Sequence, residues 1–176
     1  MPISGAVKKS ILALFGKKEI PIQLCEEKCG YINFLNRRVE RVLGDISTGV
    51  PPLGEYTGNE FYVATAYVDE KDIPRLKALS GGAKVTRWHQ NGCDLLPPDG
   101  GKHVGVKAYM EKYGVLRNEI MAFGDGNNDV EMLRLAGFGV AMGNASLSAK
   151  ESADYITTDI DENGILNAVE HFRRMM

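Results

Sequence analysis

Val7, Ile11, Leu14 and Phe15 stand at i, i+4, i+7 and i+8, the spacing of one helix face, and predict a first helix ending at Gly16. From Ile20 to Cys25 apolar and polar side chains alternate, which predicts a half-buried strand. After a break at Gly30, the residues Leu35, Val39, Val42 and Leu43 return to helical spacing up to Gly44. A connector rich in Gly and Pro, from Gly49 through Pro51, Pro52 and Gly54 to Gly58, reads as loop. Phe61 to Val68, aromatic and β-branched, predicts a strand, and Ile73, Leu76 and Leu79 predict a short helix. Ala83 to Trp88 and Cys93 to Leu96 flank Asn91-Gly92, an Asn-Gly signal for a β-hairpin. The first half is thus a small mixed α/β unit.

The pattern changes at Pro97-Pro98-Asp99-Gly100-Gly101, a turn that opens a strictly alternating second half. Val106, Tyr109, Met110 and Tyr113 mark a helix, and Ile120 to Phe123 a short unbroken apolar strand, the kind a parallel sheet covers on both faces. Asp129, Met132, Leu133 and Ala136 give the next helix, Phe138 to Met142 the next strand. Ser146 is placed to cap a short helix, Tyr155 to Thr157 predicts an edge strand, and Ile165, Ala168, Val169 and Phe172 stripe the last helix. Such alternation is the pattern of a Rossmann-like α/β layer.

Composition narrows the function classes. The 176 residues are 44% hydrophobic and 25% charged, ordinary globular values, and the net charge of -2 leaves no basic footprint for nucleic acid or an anionic membrane. The longest apolar runs fall far short of the roughly 20 residues of a membrane span, and the stretch after Lys8 and Lys9 is too short for a signal-peptide core. A cytoplasmic protein is expected. Cys25, Cys29 and Cys93 cannot all pair and lack a second pair of ligands at zinc spacing, so reduced, packed thiols are expected.

The densest chemical signal is Phe123-Gly124-Asp125-Gly126-Asn127-Asn128-Asp129, directly after a predicted strand and leading into a predicted helix. In open parallel sheets ligands sit at the carboxyl ends of the strands, where this loop lies. Hard oxygen ligands of this kind suit Mg²⁺, which is held by one or two carboxylates and a substrate phosphate. The plainer alternative is a loop whose Asp and Asn side chains only cap the next helix. Lys102, at the start of a helix, is placed to meet a bound phosphate together with the first helical amides. As an isolated residue it would be read as a solvated lysine.

Gly124-Asp125-Gly126-Asn127-Asn128-Asp129 followed by Val130-Glu131-Met132-Leu133 resembles the fourth motif of the haloacid dehalogenase superfamily, in its Cof-type sugar-phosphatase-like branch. The resemblance runs on through Phe138 to Ala145, Ala153 to Thr157 and Asn163-Gly164-Ile165. Lys102 falls where that family carries its third-motif lysine, although the residue after it, usually glycine, is His103 here. The resemblance implies an incomplete Rossmann-like parallel-sheet core lobe over 91–176, joined to an α/β cap lobe over 1–90 that selects the substrate. It further implies Asp125 as direct Mg²⁺ ligand, Asp129 as outer-shell or second ligand, Lys102 as catalytic electrostatic stabiliser and Asn128 as a phosphate contact. The substrate class would be a small phosphorylated metabolite resembling a sugar phosphate.

The resemblance has one gap. Family members use a nucleophilic and an acid/base aspartate in an Asp-x-Asp-Gly-Thr sequence, and these 176 residues contain none. The nearest pattern, Asp45-Ile46-Ser47-Thr48-Gly49, lacks the second aspartate and follows a helix. Because an open apolar edge invites pairing, either a second chain or self-association completes the sheet beside Ile120 to Phe123, or the chain is a fragment with marginal core stability. Three readings therefore stand: a truncated Mg²⁺-dependent phosphatase, an inactive metal-binding or interaction remnant, and the phosphorylation domain of a P-type ATPase, against which the lack of a span counts. Tyr31, Asn33, Arg37, Arg87, Trp88 and His89 are the first-half side chains with chemistry to offer a substrate, each with a plainer alternative as core or surface.

Overall fold

The structure is a computed structural model that describes residues 1–175, and the chain divides into two compact units, Met1–Gly100 and Gly101–Met176. The first unit is built on a five-stranded antiparallel sheet in the order β2-β1-β3-β5-β4, with β1 at Ile22–Glu26, β2 at Gly30–Ile32, β3 at Phe61–Ala66, β4 at Lys84–His89 and β5 at Gly92–Leu96. Because β5 is hydrogen-bonded between β3 and β4, it belongs to this unit, which runs to Gly100, ten residues beyond the 1–90 that the resemblance implies and close to the change of pattern at Pro97.

Period-two alternation divides the side chains of this sheet between its faces. Ile22, Leu24, Ala64, Ala66, Cys93 and Leu95 share a core with Val7, Ile11, Leu14 and Phe15 of α1 (Gly5–Lys17) and Leu76 of α3 (Ile73–Leu79). The register aligns Gln23, Thr65, Asp94 and Thr86 in one row on the opposite face, where the Thr65 hydroxyl donates to Asp94 at 2.8 Å. Val39, Val42 and Leu43 of α2 (Arg37–Asp45) pack there against Ile32 and Tyr67. The helix starts because the Asn36 side chain accepts from the Arg38 and Val39 amides. Gly30 to Ile32, expected only as a break, is a strand, since the Gly30–Cys25 and Ile32–Gln23 pairings give it a partner.

Asn33 ties this unit together. Its side-chain oxygen accepts from the Ile22 and Phe34 amides and its amide donates to the Phe15 and Ile20 carbonyls, so the end of α1 and the start of β1 share one buried side chain. The thiols are free, but only Cys93 is buried. Cys29 is exposed, contrary to the expectation that all three are packed, because it lies in the short turn between β1 and β2.

The second unit carries β6 (Met121–Gly124), β7 (Phe138–Ala141) and β8 (Tyr155–Ile156), all parallel, in the order β6-β7-β8. Their crossovers hold α5 (Val130–Leu135) and α6 (Leu147–Lys150), the latter capped by Ser146 as its sequence position predicts. The core is made of small residues, Ala122, Ala136, Ala141, Ala145 and Ala149, around Leu133 and Met142. On α7 (Gly164–Met175) Ala168 is buried, Phe172 meets Phe138 at 4.9 Å and His171 stacks on Tyr155 at 4.1 Å.

The helix α4 (Lys102–Tyr113) departs from its pattern. Its stripe of Val106, Tyr109, Met110 and Tyr113 includes no buried residue, and Tyr109 and Tyr113 pack on each other instead, at 4.5 Å. A sheet of three strands with β6 at its edge offers the stripe no further strand to lie on. Among the described residues no helix is long and apolar enough to cross a membrane.

Candidate magnesium and phosphate site

At the carboxyl end of β6 the chain turns through Asp125 to Asp129 before α5 begins. Asp129 is only 1% exposed, and both of its carboxylate oxygens are engaged. Oδ2 accepts from the backbone amides of Asp125 at 3.0 Å and Gly126 at 2.9 Å, closing the loop into a small nest, and Oδ1 receives the Lys102 ammonium at 2.5 Å. Burial pushes this carboxyl up, but the Lys102 hydrogen bond, the two amide donors and the lysine charge outweigh it and hold it below the ordinary value. Gly124 makes the arrangement possible: a Cβ there would stand 2.5 Å from that of Asp129.

Asp125 is exposed. Its backbone carbonyl accepts from the Ser146 amide at 2.8 Å, while its carboxylate makes no hydrogen bond or ion pair among the described residues. The Asn128 side-chain oxygen lies over Gly126, and the Asn127 side-chain oxygen accepts from the Ser148 hydroxyl, which anchors the loop to α6. Lys102, Asp125, Asn128 and Asp129 therefore come together in one unit, with Lys102 linked to the Asp125 backbone through a single shared carboxylate.

The donor set fits Mg²⁺ in kind. One unengaged carboxylate on an open loop, with an ammonium nearby, matches an ion that keeps several waters and takes substrate phosphate as a ligand. No cluster of three or more His, Cys, Asp or Glu residues that would form an all-protein cage exists among the described residues.

The chemically suggestive side chains of the first unit have structural partners. Asn33 is the buried tie, Tyr31 donates to Glu26 at 2.7 Å, and Arg87 pairs with Glu70 at 2.8 Å. Trp88 packs with the α2 cluster, and His89 accepts from the Asn91 amide and lies 3.3 Å from Asp45, the last residue of α2. Arg37 is exposed. Glu26 is brought down to about 2 by hydrogen bonds from Thr57, Asn59 and Tyr31, and it lines a cavity of about 400 Å³. Sequence spacing does not announce that cluster, because Glu26 and Asn59 meet only through the pairing of β1 with β3. Ser148 falls outside the motifs, and they include Glu131 without giving it a role; the structure shows partners for Ser148 and Glu131. The latter lies two residues past Asp129, with an oxygen 3.3 Å from His103 Nδ1.

Comparison with known proteins agrees with this architecture. The family model for haloacid dehalogenase-like hydrolases matches residues 1–169. The chain is 35% identical over 130 residues to the putative phosphatase YkrA of Bacillus subtilis, a match covering 73% of this chain and 50% of that one. It is 30% identical over 132 residues to the Bacillus subtilis 5-amino-6-(5-phospho-D-ribitylamino)uracil phosphatase YitU, covering 70% of this chain and 48% of the relative. Among solved structures, the subclass IIB sugar phosphatase BT4131 superposes with a TM-score of 0.87 at 30% identity, over 97% of this chain and 67% of that one. The chain thus spans about half the length of these two curated relatives.

Proposed function

Since the chain belongs to the haloacid dehalogenase-like hydrolases, in their Cof-type branch, we propose that its second unit binds Mg²⁺ and the phosphate of a small phosphorylated metabolite, as part of a phosphatase. The observation that carries this reading is the carboxylate of Asp129, shared between the Lys102 ammonium and the backbone of the Asp125 loop.

In this reading Asp125 holds the metal directly and Asp129 stands behind it, as an outer-shell residue that orders the loop and aims Lys102. When bound, Mg²⁺ supplies positive charge against the phosphate oxygens. Lys102 gives a second positive charge from the protein side, and Asn128 a neutral hydrogen bond that orients the phosphate. The sugar-phosphate-like character of the metabolite is supported by the likeness to BT4131 and YitU, each a phosphatase by name. The first unit is the natural selector of that metabolite, and three unpaired cysteines suit a reducing, cytoplasmic setting.

In this reading the nucleophile comes from outside these residues. No Asp-x-Asp-Gly-Thr occurs in the sequence, and Asp45 sits at the end of α2 against His89. We therefore propose that the 176 residues alone bind without turning over, and that a strand from a second chain, added to β6, would be needed for hydrolysis. The test is Mg²⁺-dependent hydrolysis of p-nitrophenyl phosphate by the purified chain beside an Asp125→Ala variant. Equal, background rates are expected. Strong turnover that disappears in the variant would mean that a nucleophile lies within this sequence or in a self-associated copy.

A further inference from the structure

Lys102 reaches Asp129 from the first position of α4, and nothing in the capping of that helix explains why it stays there. The N-cap is Gly101, which has no side chain to accept from the first amides, and half of the Lys102 side chain is exposed. A long lysine at an uncapped helix start loses considerable rotamer freedom when it is held in one geometry.

The next residue provides the missing restraint. His103 has a side chain 17% exposed, and its Nδ1 is fully buried, 3.3 Å from Glu131 Oε2, with no hydrogen-bond partner of good geometry among the described residues. The buried imidazole nitrogen and the Glu131 carboxylate oxygen lie within ion-pair distance, so the two side chains bridge the starts of α4 and α5. Lys102–Asp129 and His103–Glu131 are consecutive on α4 and two residues apart at the start of α5, so the two pairs join the same two helical turns. Gly101 is shaped around the second pair. Its φ is 146°, and a Cβ there would stand 2.9 Å from His103 Nδ1 and 3.2 Å from Glu131 Oε2.

We infer that His103 is a positioning residue: its imidazole, set against Glu131, clamps the first turn of α4 to the first turn of α5 and so fixes the Lys102 ammonium on Asp129. The histidine touches neither metal nor phosphate. It acts by making the lysine's position independent of the ligand, so that anion binding does not have to order the side chain. The consequence for phosphate rests on the reading of Lys102 as a phosphate-binding group; the consequence for the ammonium does not.

The experiment uses the full chain with Lys102→Ala, His103→Ala, His103→Asn and Glu131→Ala variants. The first readout, without ligand, is the Lys102 ammonium NMR resonance, visible only while the group is held away from exchange with water. The second is inorganic phosphate affinity in the presence of Mg²⁺. His103→Ala and Glu131→Ala should both lose the resonance and bind phosphate roughly three- to tenfold more weakly, as expected for coupled neighbours. His103→Asn, whose amide nitrogen replaces Nδ1, should restore both, which a general loosening of the fold would not. Glu131, nearly half exposed, keeps the test available should His103→Ala fold poorly. An unchanged Lys102 resonance in His103→Ala or Glu131→Ala overturns the inference. Equal phosphate binding by the unmodified chain and Lys102→Ala would instead overturn the phosphate reading, with the ammonium signal still deciding the role of His103.

Discussion

Asp129 divides its carboxylate between two tasks: one oxygen receives the Lys102 ammonium at 2.5 Å, and the other accepts two amides from its own loop. The acid is buried and the lysine is half exposed, so the energetic consequences of losing each are unequal.

Asp129→Ala leaves two amides and an ammonium without an acceptor and should cost about 3 kcal/mol. Lys102→Met removes one partner of three, from the wetter side, and should cost about 1 kcal/mol. Urea unfolding of both variants checks the order, and equal losses would contradict it.

Because Asp129 is held below its ordinary pKa when folded, the unfolded chain takes up the proton first on acidification. The stability it contributes is complete above the unfolded value of about 4 and is lost as pH falls through the lower folded value. Asp129→Asn should therefore show a smaller loss of stability below about pH 4 than the unmodified chain, measured as the urea midpoint against pH.

Asp125 offers the opposite case. Its carboxylate is exposed and unengaged, so Asp125→Asn should shift stability by no more than about 0.5 kcal/mol. The same variant should abolish Mg²⁺ binding measured by titration calorimetry. Retained binding would remove Asp125 as the ligand.

Gly124→Ala tests the close approach behind the loop. Its new Cβ meets Asp129, a buried side chain with no room to retreat, and should cost about 1–3 kcal/mol while weakening Mg²⁺ binding. Thermal unfolding and the same titration report the two effects.

In the first unit, Asn33→Ala leaves the Ile22 and Phe34 amides and the Phe15 and Ile20 carbonyls without their side-chain partner. A loss of about 2–4 kcal/mol is expected in chemical denaturation.

The sequence made legible what periodicity and local chemistry control. The stripe Val7, Ile11, Leu14, Phe15 is buried as its spacing predicts, β6 and β7 are parallel neighbours, and the loop after β6 gathers Lys102, Asp125, Asn128 and Asp129. Pairing between segments distant in sequence was not legible. Gly30 to Ile32 is too short to read as a strand until Gln23 and Cys25 lie beside it, and the pairing of β5 with β3 joins segments that no turn connects. The stripe of α4 promised burial that a three-stranded sheet does not provide. The engagement of both Asp129 oxygens depends on a lysine 27 residues away.

The outer edge of β6 gives the strand two kinds of peptide group. Ile120 and Gly124 present their carbonyls to β7, so in a parallel ladder the amides of Ala122 and Gly124 are bonded inward while those of Met121 and Phe123 point away. Placed in heavy water, the strand should label like a comb, its alternate amides taking up deuterium at well-separated rates. A strand added to that edge would slow the fast teeth and leave the slow ones as they were. Isotope uptake at two amides would then give a clock for the arrival of a partner, read without any knowledge of what the partner does.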